Sequence, residues 1–222
     1  MPSFAPIRDA AVARHGEAGV AARLAAPASE AELRARPDDR YLSAMSLRIF
    51  RAGLKHSLVD AKWPAFEETF QGFDVAACAG LYDETLEEHL ADKRLIRHLP
   101  KLRSIRDNAA AILALREEHG GMGAWLAGWP GHNIVGLWHE IARRFTQMGG
   151  NSGPVFLRMV GKDTFILTDS VIRALNEWDA FTGTPGSQRD RAEVQRVFNG
   201  WAEETGLPLC QLSQITAMSV AS

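Results

Sequence analysis

Gln147-Met148-Gly149-Gly150-Asn151-Ser152-Gly153-Pro154-Val155 is the stretch on which the fold turns. Three glycines, an asparagine and a proline packed so closely favour turn and left-handed backbone over a continuing helix. On the N-terminal side, Ile134, Leu137, Trp138, Ile141 and Phe145 recur along one face of a helical pattern over residues 134–146. A second helical pattern occupies residues 155–159. Two helices joined by a tight glycine turn form a hairpin, placed at about residues 134–160.

Working outward, the same periodicity continues in both directions and strand-like alternation is almost absent. Residues 170–178, 190–204 and 208–220 read as helices, with a loop at 182–186. Upstream, helices are expected at 83–91, 99–118 and 121–128. Leu42, Met45, Ile49, Leu58, Phe66 and Phe70 mark two more, broken at Ala52-Gly53-Leu54. Near the start, Ser29 and Glu32 fit a capping box, and Pro37, Asp38 and Asp39 open the next element. The fold class is therefore all-α. The expected organisation is two-lobed, with residues 1–40 as an extension packing with 175–222, and 41–174 as the central helical domain.

With 222 residues, 46% of them hydrophobic, the chain can bury the core of one large domain or two small lobes. It has no apolar run of about 18 residues and no basic start followed by an apolar stretch, so a cytoplasmic protein without a membrane partner is expected. Its cysteines, Cys78 and Cys210, lack CxxC spacing, and His119, His132 and His139 lack ligand-like spacing. Neither a metal nor a cofactor is expected. A formal net charge of -2 argues against a protein coated in positive charge but leaves room for a local basic face.

Two separate segments carry a family resemblance. Ala52-Gly53-Leu54, followed by Phe66 and by Phe70-x-x-Phe73-Asp74, is similar to the early helices of the bacterial 3-methyladenine DNA glycosylase I family. Leu95-Ile96-Arg97-His98-x-x-Lys101-Leu102-x-Ser104-Ile105-x-x-Asn108-Ala109 resembles a further helix of that family, and is the most specific string in the chain. Lys162-Asp163-Thr164-Phe165-Ile166-Leu167-Thr168-Asp169-Ser170-Val171-Ile172-Arg173 resembles instead the catalytic stretch of the inducible alkyladenine glycosylases. Both families belong to the helix-hairpin-helix glycosylase superfamily, and the likeness spans roughly residues 41 to 220.

That resemblance implies an enzyme that hydrolyses the N-glycosidic bond of damaged, alkylated purines in base excision repair. Its partner would be double-stranded DNA with the damaged base flipped out, bound by a monomer. Asp169 falls on the catalytic carboxylate, which stabilises an oxocarbenium-like sugar and aligns the attacking water. Gly149, Gly150, Asn151, Ser152 and Gly153 would hold phosphates through backbone N–H groups at a helix start. Lys101 would add a DNA contact, and Leu54 would enter the gap left by the flipped base. Gly153 aligns with the lysine that forms a Schiff base in strand-cutting members, so no lyase step is expected.

Departures from the family pattern keep other readings open. The family's zinc site, built from cysteines and histidines near both termini, has no counterpart here. The pocket glutamate is replaced by Arg48 and the stacking tryptophan by His56. Asp169 also reads as an N-cap, Leu54 as a core residue, Gly149-Gly150 as an ordinary interhelical turn, and Arg97, His98 and Lys101 as a solvated helix face. The alternative function is a noncatalytic helix-hairpin-helix DNA-binding protein.

Overall fold

A computed structural model describes residues 2–221. Among the described residues, the regular structure is helical throughout. In chain order the helices are α1 (Ala5–His15), α2 (Glu17–Ala21), α3 (Glu30–Ala35), α4 (Asp38–Arg51), α5 (His56–Thr69), α6 (Val75–Ala79) and α7 (Asp83–Glu88). They continue as α8 (Leu99–His119), α9 (Met122–Gly128), α10 (Ile134–Arg144), α11 (Ser152–Met159), α12 (Asp169–Glu177), α13 (Gln188–Thr205) and α14 (Leu209–Met218).

The helices divide into two compact units. The first takes the residues up to Ala28, the segment Pro130–Leu137 and everything from Gly161 onward; the second takes Ser29–Trp129 and Trp138–Val160. The chain passes between units within α10, after Leu137.

In the first unit, the rings of Phe165 and Phe198 stack with centroids 4.4 Å apart. Trp201 lies against both Phe198 and Phe4. Helix α14 packs on α1, α12 and α13. Phe165-Ile166-Leu167 lies between helices, and the Ile166 N–H donates to Ser213 Oγ at 3.1 Å. Where Gly161 meets Ala28, the Ala28 N–H donates to the Gly161 carbonyl at 2.8 Å. Gly161 has a φ of 85°, and a Cβ there would lie 2.7 Å from the Ala28 methyl, so both backbone shape and space require glycine.

The second unit is built around α8. Leu102, Ile105, Ala109 and Ile112 repeat at i, i+3, i+7 and i+10, are fully buried, and face α4 and α6. An aromatic column of Phe50, Trp63, Phe66, Phe70 and Phe73 fills the space beside α5, with Trp63 stacked at 5.0 Å on Phe66 and 5.4 Å on Phe73. The capping box of Ser29 and Glu32 is present and starts α3. Helix α3 then lies so close on α9 that a Cβ on Gly123 would collide with the Leu33 carbonyl.

The hairpin is formed by α10 and α11. Helix α11 begins at Ser152, ahead of the expected Val155, because Pro154 sits in its first turn, where a missing N–H forfeits no intrahelical bond. The approach to the turn is pinned to α8. Buried Asn108 accepts from the Thr146 N–H at 2.7 Å and donates to the Thr146 carbonyl at 3.2 Å. The next residue, Gln147, has a φ of 62° and donates from Nε2 to the Pro100 carbonyl at 2.8 Å.

Two outcomes follow from this packing. Asn108→Ala removes both bonds to Thr146 and should lower stability by about 1–3 kcal/mol, with faster amide exchange at Thr146; unchanged exchange there would show that the clamp does not order the turn. Gly123→Ala should cost roughly 1–3 kcal/mol or more through overpacking, read as a lower midpoint in denaturant, and a wild-type midpoint would mean that α3 yields freely.

Candidate catalytic carboxylate and nucleic-acid interface

The turn after α4 is shaped by its backbone. Helix α4 ends at Arg51, Gly53 follows with a φ of 75°, and α5 starts at His56. Leu54 is thereby left 37% exposed, so the core reading of this leucine does not hold. Lys55 and His56 are exposed on the same turn, His56 as the first residue of α5.

Lys101 anchors this turn from below. It is 8% exposed and its Nζ donates to the carbonyls of Ala52 at 2.7 Å and Phe50 at 3.4 Å. These are carbonyls at the end of α4 that lack a helical partner, and a cation there also meets the negative end of the helix. The Lys101 amine, expected to add a DNA contact, is thus buried against the end of α4 with two of its three protons directed at these carbonyls. Burial, and next the neighbouring Arg48 guanidinium, lower the Lys101 pKa from its ordinary value.

Arg48 lies on the last turn of α4, half-buried, with Nε shielded from solvent and without a hydrogen-bond partner. Burial, followed by repulsion from Arg51, lowers its pKa. The carboxylates within reach in sequence go elsewhere. Glu67 pairs with Arg40 at 3.0 Å, Glu68 with Arg94 at 3.2 Å, and Asp60 with Arg51 at 2.7 Å.

Within the hairpin turn, Gly149, Gly150 and Asn151 are exposed, and Gly150 has a φ of 58°. Ser152 and Gly153 are not. Ser152 is 9% exposed, and a Cβ on Gly153 would stand 3.3 Å from both Ile141 Cγ2 and the Met148 carbonyl. Surface contact at this turn is thus limited to residues 149–151; Ser152 and Gly153 serve the close approach of α11 to α10.

Asp169 is the first residue of α12 and is exposed. The cap is not Asp169 but its neighbour: Thr168 Oγ1 accepts from the Val171 N–H at 3.2 Å. Among the described residues, the Asp169 carboxylate has neither a hydrogen-bond nor an ion-pair partner. Asp169 belongs to the first unit; Arg48, Leu54, His56, Lys101 and the 149–153 turn belong to the second.

Sequence reasoning passed over the role of Asn108. The signal was there: an asparagine is disfavoured inside a helix, yet Asn108 sits mid-α8 among apolar residues on the buried face. His98 plays a local part, with Nδ1 accepting from the Lys101 N–H at the start of α8. Both cysteines are buried, with Cys78 directed at the Phe70 carbonyl and Cys210 at the Ala25 carbonyl. Among the described residues, no group of three or more His, Cys, Asp or Glu side chains could hold a metal ion. No described helix is long and apolar enough to cross a membrane.

Comparison with known proteins bears on these features. A family model described as methyladenine glycosylase matches residues 33–148, more than half of the chain, ending one residue before the hairpin glycines. No curated protein matches. A solved 3-methyladenine DNA glycosylase I shares 20% identity over 62% of this chain and 82% of its own, with a TM-score of 0.52. The Staphylococcus aureus enzyme of that name shares 18% identity over 60% of this chain and 80% of its own, with a TM-score of 0.51. The 8-oxoguanine glycosylase/lyase of Methanocaldococcus jannaschii, solved with DNA containing 8-oxoguanine, is 16% identical, but covers 96% of this chain and 94% of its own at a TM-score of 0.53. Its fold therefore accompanies the chain past the hairpin and through α12. By its match over residues 33–148, the chain belongs to the methyladenine glycosylase family.

Proposed function

We propose that this DNA glycosylase removes damaged purines, alkylated ones foremost, by direct hydrolysis of the N-glycosidic bond, with Asp169 as the catalytic carboxylate. The observation that carries the reading is the state of Asp169: exposed at the start of α12, with Thr168 making the cap hydrogen bond in its place. A carboxylate spent on the cap would be unavailable to the sugar.

The chemistry needs little else from the protein. Departure of the base leaves positive charge on the sugar, which a fixed carboxylate stabilises while it aligns water. An alkylated purine already carries positive charge and leaves readily. The base must first swing out of the duplex, which costs a few kcal/mol and less for a poorly paired base. The exposed backbone of Gly149, Gly150 and Asn151 supplies the grip on phosphate, Leu54 enters the gap, and double-stranded DNA is the partner. Gly153 offers no amine, so the strand stays uncut. The protein acts as a monomer.

Arg48 favours a refinement. Its guanidinium, half-buried and unmatched by a carboxylate, repels a cationic base the more strongly as water is excluded. On this reading Arg48, together with His56 exposed at the start of α5, suits a lesion that offers neutral acceptor atoms.

Asp169→Asn is expected to abolish base release, by roughly two or more orders of magnitude, while DNA affinity stays near wild type; wild-type turnover would leave the noncatalytic DNA-binding alternative. For Arg48→Glu, the ranking of 3-methyladenine against neutral lesions in a base-release assay should shift toward 3-methyladenine. An unchanged ranking would remove Arg48 from the pocket.

A further inference from the structure

Resting on the reading of this chain as a DNA glycosylase, we propose that Leu58 is a second apolar contact to the base stack. It would lie against the base adjoining the vacated position, while Leu54 occupies the vacancy. Among the described residues the large apolar side chains left exposed are Leu54, Leu58 and Tyr82, and two of these three stand four residues apart, Leu54 in the turn before α5 and Leu58 in its first turn. Leu58 is the more open of the pair, 49% exposed against 37%.

Placement makes the pair more than scattered surface. The turn carrying them is fixed by Gly53 and by the Lys101 amine on the Ala52 carbonyl. The same first turn of α8 receives Gln147 from the hairpin, on the Pro100 carbonyl. Three segments, 52–58, 97–101 and 146–151, are therefore tied side by side in one unit. Exposed Lys55, between the leucines in sequence, and Arg97, on the segment that Lys101 ties to this turn, have no carboxylate partner among the described residues. Apolar side chains together with unneutralised cations, in a chain of net charge -2, match a duplex opened at one base: phosphates outside and bare base faces within.

A vacated base position takes one such side chain; with Leu54, in the turn before α5, in the gap, Leu58, four residues on in the first turn of α5, falls on the adjoining base.

The test uses the full chain and duplexes with a stable abasic-site analogue, carrying 2-aminopurine beside the gap, whose fluorescence rises on unstacking. Leu58→Ala should weaken binding about five- to hundredfold, as loss of an apolar side chain buried against a base does, and abolish the fluorescence rise at the adjoining base. Leu58→Met should restore both, and Tyr82→Ala should change neither. Because Leu58 is exposed, circular dichroism and melting should match wild type. If Leu58→Ala binds and brightens the probe like wild type while Leu54→Ala does not, the proposal is overturned. Base release by the wild-type protein, measured separately on alkylated duplexes, tests the glycosylase reading. A chain that releases no base yet shows the Leu58-dependent signal would keep the contact and lose the catalytic assignment.

Discussion

A single ammonium group, Lys101 Nζ, holds together the end of α4 and the start of α8, and the geometry of the exposed turns depends on it. Burying a cation is costly unless its donors are satisfied, and here the satisfaction comes from the carbonyls of Ala52 and Phe50 rather than from a carboxylate. Those carbonyls are at the negative end of α4, so dipole and hydrogen bonds act in the same direction. Arg48 and Arg51 crowd the same helix end, and of the three cations only Arg51 reaches a carboxylate, Asp60. Positive potential is thus concentrated where α4 stops. An acceptor-rich ligand at that place relieves repulsion that the protein alone leaves in part unrelieved.

The distribution of charge elsewhere follows the opposite rule. Arg94 is held by Asp92 and Glu68, Arg103 and Arg106 by Asp83, Arg143 and Arg144 by Glu140. Exposed pairs of this kind add little stability. Their effect is to cancel many cations of the second unit, while exposed Arg34, Lys55, Lys93 and Arg97 have no carboxylate partner among the described residues. An overall charge of -2 is therefore no obstacle to binding a polyanion.

The features legible in the sequence were those governed by neighbours along the chain. Glycine at 53 broke α4 from α5, Ser29 and Glu32 started α3, and the apolar spacing in residues 134–146 located the first hairpin helix. What escaped was governed by the third dimension. Lys101 read as a surface cation because lysines are mostly exposed, and nothing in its sequence neighbours announced the α4 carbonyls. Ser152 and Gly153 read as turn residues because Pro154 was taken as outside the helix, when it occupies the first turn of α11. For Asp169, read as the catalytic carboxylate, a cap was the competing reading because Asp, Thr and Ser all cap helices; the choice of Thr168 rests on backbone angles that three adjacent capping residues do not reveal.

The close approach of α11 to α10 bears directly on the chemistry the hairpin can host. The resemblance puts Gly153 where strand-cutting relatives carry their lysine. In this chain that position faces Ile141 and the Met148 carbonyl at distances tighter than ordinary van der Waals contact for a Cβ. Any side chain there would press on the backbone at the mouth of the turn, whose other end is pinned to α8 by Asn108 and Gln147. Absence of a Schiff-base amine is consequently tied to how the hairpin packs, and not to one interchangeable residue. A side chain at 153 would need Ile141 or the Met148 carbonyl to give way by a few tenths of an ångström. The same close packing leaves Gly149, Gly150 and Asn151 as the exposed crest of the turn, so the proposed grip on phosphate and the proposed lack of a lyase step would rest on one packing constraint.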